Sequence, residues 1–312
     1  ALPGYGATRP MQRDHDIDQS NPRTDDTMTE HFPILGIALG GGGARGLAHI
    51  GVLKVLQQAG IFPRLVAGTS MGGIVGAMYA RGMSAEQMEA AVQRAIRSRT
   101  DILRAIDLKI TQTGFVRGAR IYDFIADMIG PEVTFAQLHR PLAVVATDMN
   151  TGREVVLDRG RVADAVRATI SVPGVFLPVE LGAMRLVDGG MLNNLPVDVV
   201  RRMGAQIVIA VDVLPNFQAN TPGQPPVVAP LRSRRVLRSY NELWNAVNIM
   251  ISASTQAHLQ QWPADVVLQP ALPPDLDILF GFDRSKEAIA AGEAAAEAAL
   301  ERIQALIVTR NS

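Results

Sequence analysis

Ile34-Leu35-Gly36-Ile37-Ala38-Leu39 runs directly into Gly40-Gly41-Gly42-Gly43-Ala44-Arg45-Gly46, and an apolar segment from Leu47 to Gln58 follows. A short apolar run that ends in glycines reads as a strand buried on both faces. The segment after the turn is apolar almost all round, so it reads as a helix lying deep against a sheet. The same pattern recurs downstream. Arg64–Ala67 reads as a second strand and Gly72–Arg81 as a second helix, and Ser84-Ala85-Glu86-Gln87 opens a third helix with capping-box chemistry. Further strands are expected at Leu142–Thr147, Glu154–Leu157, Arg185–Val187, Gln206–Val213 and Val266–Gln269. Helices near 119–129, 161–169, 195–203, 234–260 and 284–308 separate them. Strands alternating with helices indicate an α/β fold with a doubly wound, mainly parallel sheet flanked by helices.

Composition narrows what such a fold can do. Hydrophobic residues make up 47% and charged residues 19% of the 312, ample for a core. Lys+Arg 30 balance Asp+Glu 30, which argues against a nucleic-acid binder that works through an overall basic field. With Cys 0 there is no disulfide framework, cysteine-bound metal or thiol nucleophile. The charge-free stretches Leu65–Ala80 and Leu243–Ala264 carry too many Gly, Ser, Thr, Asn and Gln residues to read as membrane spans. Residues 1–31 have no periodicity and read as a flexible N-terminal tail without a basic-then-apolar signal pattern. Residues 32–312 read as one domain interrupted by a Pro-rich loop at 214–231. A cytoplasmic location is expected.

Three glycine-centred elements carry the chemistry. Gly41, Gly43 and Gly46 fit G-x-G-x-x-G, but no Asp or Glu occurs between Glu30 and Glu86 to hold a ribose. An NADP site would have to use Arg64, and Arg45-Gly46-Leu47 does not meet the G-K-[ST] of a P-loop. The turn therefore reads as bare backbone feeding a helix N-terminus, able to hold an anion or a transient oxyanion. Gly68-Thr69-Ser70-Met71-Gly72 lies between a strand and a helix, where G-x-S-x-G is a nucleophile elbow. A serine nucleophile needs a base. Among five histidines, His49 reads as a core side chain and only His258 fits a Ser…Asp…His order, from within a helical pattern. Asp148, Asp188 and Asp212 each end an expected strand, and Leu186-Val187-Asp188-Gly189-Gly190 is the third glycine element.

The order G-G-G-x-R-G, G-x-S-x-G, D-G-G resembles the patatin-like phospholipases, the family of the plant patatins, a bacterial branch and the neuropathy target esterase catalytic domain. The likeness extends to Thr147–Glu154, Ser171–Phe176 and Asn193–Asp212. The resemblance implies a three-layer fold and a Ser–Asp dyad, with Ser70 as nucleophile and Asp188 as base. It also implies Gly41, Gly42 and Gly43 as oxyanion donors. Arg45, which stands against the helix dipole, is expected at the substrate or supporting the loop. It implies a serine lipid acyl hydrolase of phospholipase A, lysophospholipase or carboxylesterase type, working through an acyl-enzyme on a lipid or acyl ester without cofactor or metal. An acyltransferase using the same acyl-enzyme and a nucleotide-binding regulatory module are the alternatives.

The zero net charge conceals a local excess. Val213 to Ser239 contains no acidic residue, while Arg232, Arg234, Arg235 and Arg238 cluster after the Pro-rich loop. Val236, Leu237, Tyr240, Leu243, Trp244, Val247, Met250 and Ile251 then recur at helical spacing. This apolar face is expected to pack on the sheet, leaving the arginines and loop for a peripheral membrane contact.

Overall fold

The computed structural model describes residues 33–97, 119–215, 235–273, 276 and 281–310. The expected N-terminal tail and nearly all of the Pro-rich loop lie outside them. Eight strands form one sheet among the described residues: β1 (Leu35–Leu39), β2 (Leu65–Thr69), β3 (Leu142–Asp148), β4 (Arg153–Leu157), β5 (Val179–Leu181), β6 (Met184–Asp188), β7 (Ile207–Val211) and β8 (Val266–Leu268). The helices are α1 (Ala48–Gln58), α2 (Met71–Ala80), α3 (Ala85–Arg97), α4 (Ala119–Ile129), α5 (Val162–Thr169), α6 (Val197–Arg202), α7 (Arg235–Gln261) and α8 (Ser285–Thr309). The expected elements recur within a few residues. The short strand β5 was not anticipated.

The sheet order is β5-β6-β3-β2-β1-β7-β8, with β4 on β3 as well. From β3 to β8 the neighbours are parallel, while β4, β5 and β6 join by antiparallel pairing. β3 is the junction. Val144 and Val145 pair with Gly68 and Thr69 of β2 and, across the other edge, with Leu157 and Val156 of β4. Since Ala146–Asp148 pair both with β4 and with β6, β6 must take over the edge where β2 stops. Val145 thus faces Thr69 and its neighbour Ala146 faces Asp188, so the ends of β2 and β6 meet head to head.

Side-chain parity divides the core. Ile37, Leu39, Val66, Val144, Ile209 and Val211 point into a large cluster with α1 to α5 and α8. Ala38, Ala67, Ala143, Val145, Val208 and Ala210 point to a smaller one under α6. The small side chains on that second face let α6 settle close to the strands. A Cβ on Gly36 would come within 2.6 Å of Ala205 and Val200. On the first face α1 and α8 touch backbone to backbone, where a Cβ on Gly292 would lie 2.0 Å from the Ala48 carbonyl. The capping box at Ser84 forms with Gln87, at 2.8 and 3.2 Å.

In the apolar stripe of α7 the side chains of Val236, Leu237 and Tyr240 lie outside those described, and Trp244, Val247 and Ile251 are half-buried. Leu243 and Met250 are 62% and 70% exposed, whereas Asn248 and Thr255 are buried. Only Leu259, near its C-terminal end, packs against a core cluster among the described residues. Length explains this. A helix of 27 residues spans about 40 Å at 1.5 Å per residue, more than twice what a five-residue strand can cover.

Candidate active site

Ser70 follows β2 at the sharp entry to α2, with φ 53° and ψ −122°. It is the one non-glycine residue with positive φ among those described, a conformation costing on the order of 1–3 kcal/mol. Three hydrogen bonds hold it there. Its carbonyl accepts from the Gly73 and Ile74 amides at 2.9 and 3.2 Å, and its own amide donates to Thr169 Oγ1 at 2.8 Å. Thr169 Oγ1 in turn donates to the Val145 carbonyl. The flanking glycines are required by close approach. A Cβ on Gly68 would lie 2.4 Å from the Gly72 carbonyl oxygen, and one on Gly72 would lie 2.1 Å from that of Leu39. The N-terminus of α2 behind Ser70 favours negative charge developing at this point.

The head-to-head ending of β2 and β6 brings Asp188 to Ser70. Asp188 is 7% exposed, and its carboxylate accepts from the Gly190 amide at 2.8 Å. Burial pushes its pKa up from 3.8 to about 6, against the pull of hydrogen bonds from the Ser70 side chain and the Gly190 amide. A carboxylate so raised is a better proton acceptor and still ionises near neutrality.

The glycine turn closes the arrangement. A Cβ on Gly41 would stand 3.0 Å from Ser70 Cβ, so this backbone lies against Ser70. Of the three glycines expected to donate, Gly41 is corrected: its amide is taken by the Asn194 carbonyl at 3.1 Å. The Gly42 and Gly43 amides have no acceptor among the described residues, at the start of the 3-10 turn Gly43–Leu47. His49 Nε2 donates to the Gly40 carbonyl at 2.7 Å. Burial pushes the pKa of this imidazole down to about 4, so it stays neutral and helps anchor the turn.

Other expected candidates have different work. Arg45 is buried and ties the turn to distant chain, donating from Nε to the Val213 carbonyl at 2.6 Å and from Nη1 towards Pro273 and Leu276 at 3.5 Å. Its geometry is that of loop support. Asp148 accepts from the Arg185 and Asn150 amides and from Thr151 Oγ1, and these bonds, that of Arg185 first, hold its pKa below the usual carboxylate range. Asp212 is raised by burial and accepts from the Leu214 amide at 3.1 Å and Gln269 at 3.4 Å. His258 bonds to Asp198 at 2.9 Å, and Asp198 is also held by Asn193 and Arg202. A groove of about 690 Å³ bounded by Arg81, Met83, Arg94 and Met128 contains none of the three reacting elements.

Residues unforeseen from the sequence complete the site. Thr169 anchors the elbow, and Asn193 accepts from Thr69 Oγ1 at its carbonyl, 2.9 Å away. Asn194 Nδ2 donates to the Gly41 carbonyl at 3.2 Å. The adjacent asparagines in Leu192-Asn193-Asn194-Leu195 were a visible signal, as polar residues in an apolar run after Asp188-Gly189-Gly190.

Comparison with known proteins places this geometry. The family described as Patatin-like phospholipase matches residues 37–201, more than half of the chain. An uncharacterized NTE family protein of Mycobacterium tuberculosis is 35% identical over 280 residues, which is 86% of this chain and 46% of that protein. Another from the same organism is 40% identical over 181 residues, 58% of this chain and 49% of its own length. Patatin-like phospholipase domain-containing protein 6 of Mus musculus is 37% identical over 182 residues, 57% of this chain and 13% of its own. This chain spans about half the length of the mycobacterial relatives. Among solved structures, VipD from Legionella pneumophila aligns with a TM-score of 0.49 and 14% identity, over 87% of this chain and 67% of that one. The family match runs from β1 into α6 and contains the elbow, the buried carboxylate and the glycine turn, and the chain belongs to the patatin-like phospholipase family.

Proposed function

We propose that this protein is a serine lipid acyl hydrolase that works through a Ser70–Asp188 dyad. The observation that carries the reading is the buried Asp188 carboxylate, raised to about 6 by burial, beside a serine on a strained elbow. Ser70 Oγ attacks the ester carbonyl carbon while Asp188 takes the hydroxyl proton. The Gly42 and Gly43 amides stabilise the oxyanion, each donor worth about a hundred- to a thousand-fold in rate. The C–O bond to the alcohol breaks, and Asp188 returns the proton to the departing oxygen. Water then attacks the acyl-enzyme, again losing a proton to Asp188, and the acid leaves as Ser70 is restored. An alcohol in place of water would make the reaction an acyl transfer.

The family and the exposed Leu243, Ile249 and Met250 of α7 support a lipid or acyl ester as substrate, while the side chains of Arg232, Arg234, Arg235 and Arg238 lie outside those described. We place a peripheral contact with an anionic membrane surface at the arginine-rich 232–238 segment, where charge complementarity favours it. No helix among the described residues is long and apolar enough to cross a membrane. The test is incubation with a fluorophosphonate probe followed by peptide mapping. Labelling at Ser70, absent in Ser70→Ala, is expected; folded protein that resists the probe would overturn the reading.

A further inference from the structure

Asn193 and Asn194 are 2% and 5% exposed and lie where the three reacting turns meet, yet neither has a part in the chemistry above. Their segment is tethered at both ends. The Asn193 amide donates to the Gly189 carbonyl at 2.9 Å, which fixes it to the Asp188 turn. The Asn193 side chain donates to Asp198 at 2.8 Å and to Glu154 at 2.9 Å, while its carbonyl holds Thr69, the residue before the nucleophile. Asn194 then grips the glycine turn reciprocally. Its carbonyl accepts from the Gly41 amide at 3.1 Å, and its Nδ2 donates back to the Gly41 carbonyl at 3.2 Å.

That second bond has a directional consequence. The Gly41 carbonyl and the Gly42 amide belong to one planar trans peptide and point in opposite directions. Holding the carbonyl therefore aims the amide. Glycine on both sides of this bond leaves the peptide plane otherwise free to rotate. The side chain of Asn194 is also seated between the two turns: its Oδ1 lies 2.6 Å from where a Gly41 Cβ would fall and 2.8 Å from the equivalent point at Gly190.

We propose that Asn194 is a positioning residue, whose side-chain amide holds the Gly41 carbonyl so that the Gly42 amide points at the oxyanion. The inference rests on the reading of Gly42 as an oxyanion donor. The oxyanion is absent from the bound ester and develops only as the tetrahedral intermediate forms, so the loss of Asn194 lowers kcat and leaves KM nearly unchanged. Asn194→Ala removes the grip. Asn194→Asp keeps the shape but turns a carboxylate oxygen towards the Gly41 carbonyl, which repels it.

The test is steady-state hydrolysis of p-nitrophenyl butyrate by Asn194→Ala and Asn194→Asp, with thermal unfolding recorded for each. The expected result is a fall in kcat of roughly ten- to a hundred-fold for Asn194→Ala and at least as much for Asn194→Asp, with KM within about threefold. Fluorophosphonate labelling of Ser70 should slow by a similar factor, because its phosphoryl oxygen occupies the oxyanion position. An unchanged kcat in folded Asn194→Ala, or a change in KM alone, overturns the proposal. So does failure of both variants to fold, which assigns Asn194 to the scaffold. Ser70→Ala and Gly42→Ala are measured in parallel: if they keep full turnover, the reading of the site falls; if they lose it while Asn194→Ala does not, only the role of Asn194 falls.

Discussion

Asp148 and Asp188 end neighbouring strands of the same sheet, and their surroundings set them apart. Asp148 accepts from two backbone amides and a threonine hydroxyl, and its charge is held in place as a staple of the β3–β4 turn. Asp188 is buried with one backbone amide and the Ser70 hydroxyl for company, and its pKa moves the opposite way. Many donors stabilise the ionised form and make a carboxylate inert. Few donors and burial make it basic. The difference between the two aspartates lies in their partners and their burial.

The most severe way to probe this contrast is to remove each charge. Asp188→Asn should lower ester turnover on the order of a thousand-fold or more, as loss of a general base does. Asp148→Asn should lower the melting temperature while leaving turnover per folded molecule within a few-fold. His258→Ala should do likewise, since His258 serves Asp198. Equal losses of turnover at Asp148 and Asp188 would erase the distinction.

Next in size is the backbone that complements the dyad. A Cβ on Gly42 would lie 2.7 Å from Val213 Cγ2, so Gly42→Ala must shift the turn. The expected result is a loss of kcat of about a hundred-fold with retained folding. A turn that serves only the fold would instead show reduced stability with unchanged turnover per folded molecule.

A third comparison uses pH. The folded state holds the Asp188 proton more tightly than the unfolded chain, with a pKa of about 6 against 3.8. That contribution to stability is present in full below about 4 and is lost as the pH rises through about 6. Above 6 the ionised, buried carboxylate lowers stability by up to ~3 kcal/mol, at ~1.4 kcal/mol per pH unit. Asp188→Asn should therefore unfold at higher denaturant concentration than the parent at pH 8 and at the same concentration at pH 3. The acid limb of turnover should fall in the same region, near pH 6. A stability difference that does not vary with pH would refute the raised pKa.

The smallest effect concerns the outer surface. Replacing Arg232, Arg234 and Arg235 together with Gln should weaken binding to anionic liposomes by about 1 kcal/mol per charge and flatten its salt dependence. Hydrolysis of a short soluble ester should not change. Equal losses on the soluble ester would assign the segment to the scaffold.

The elbow was legible because it is local. The strand Leu65–Ala67, the glycines around Ser70 and the apolar helix after it lie within a few residues, and turn chemistry and period suffice to place them. The base was not legible from the residues alone. Asp148, Asp188 and Asp212 all follow apolar runs and end in turns, and nothing in their spacing says which one meets Ser70. The choice depends on β6 running antiparallel to β3 and replacing β2 along its edge. The exposure of Leu243 and Met250 on α7 was hidden for a related reason, since periodicity marks a face but not what lies opposite it.

By itself the sequence determined the succession of strands and helices, the positions of the glycine turns and the strained serine, because each follows from side-chain pattern and backbone freedom over short distances. Only the tertiary structure decided that Asp188 is the aspartate at Ser70 and that the Gly41 amide is bound while those of Gly42 and Gly43 are open. It also decided that Asn194 sits between the glycine turn and the Asp188–Gly190 turn. Those outcomes depend on strand pairing between residues distant in sequence, and on which polar groups burial leaves with few partners.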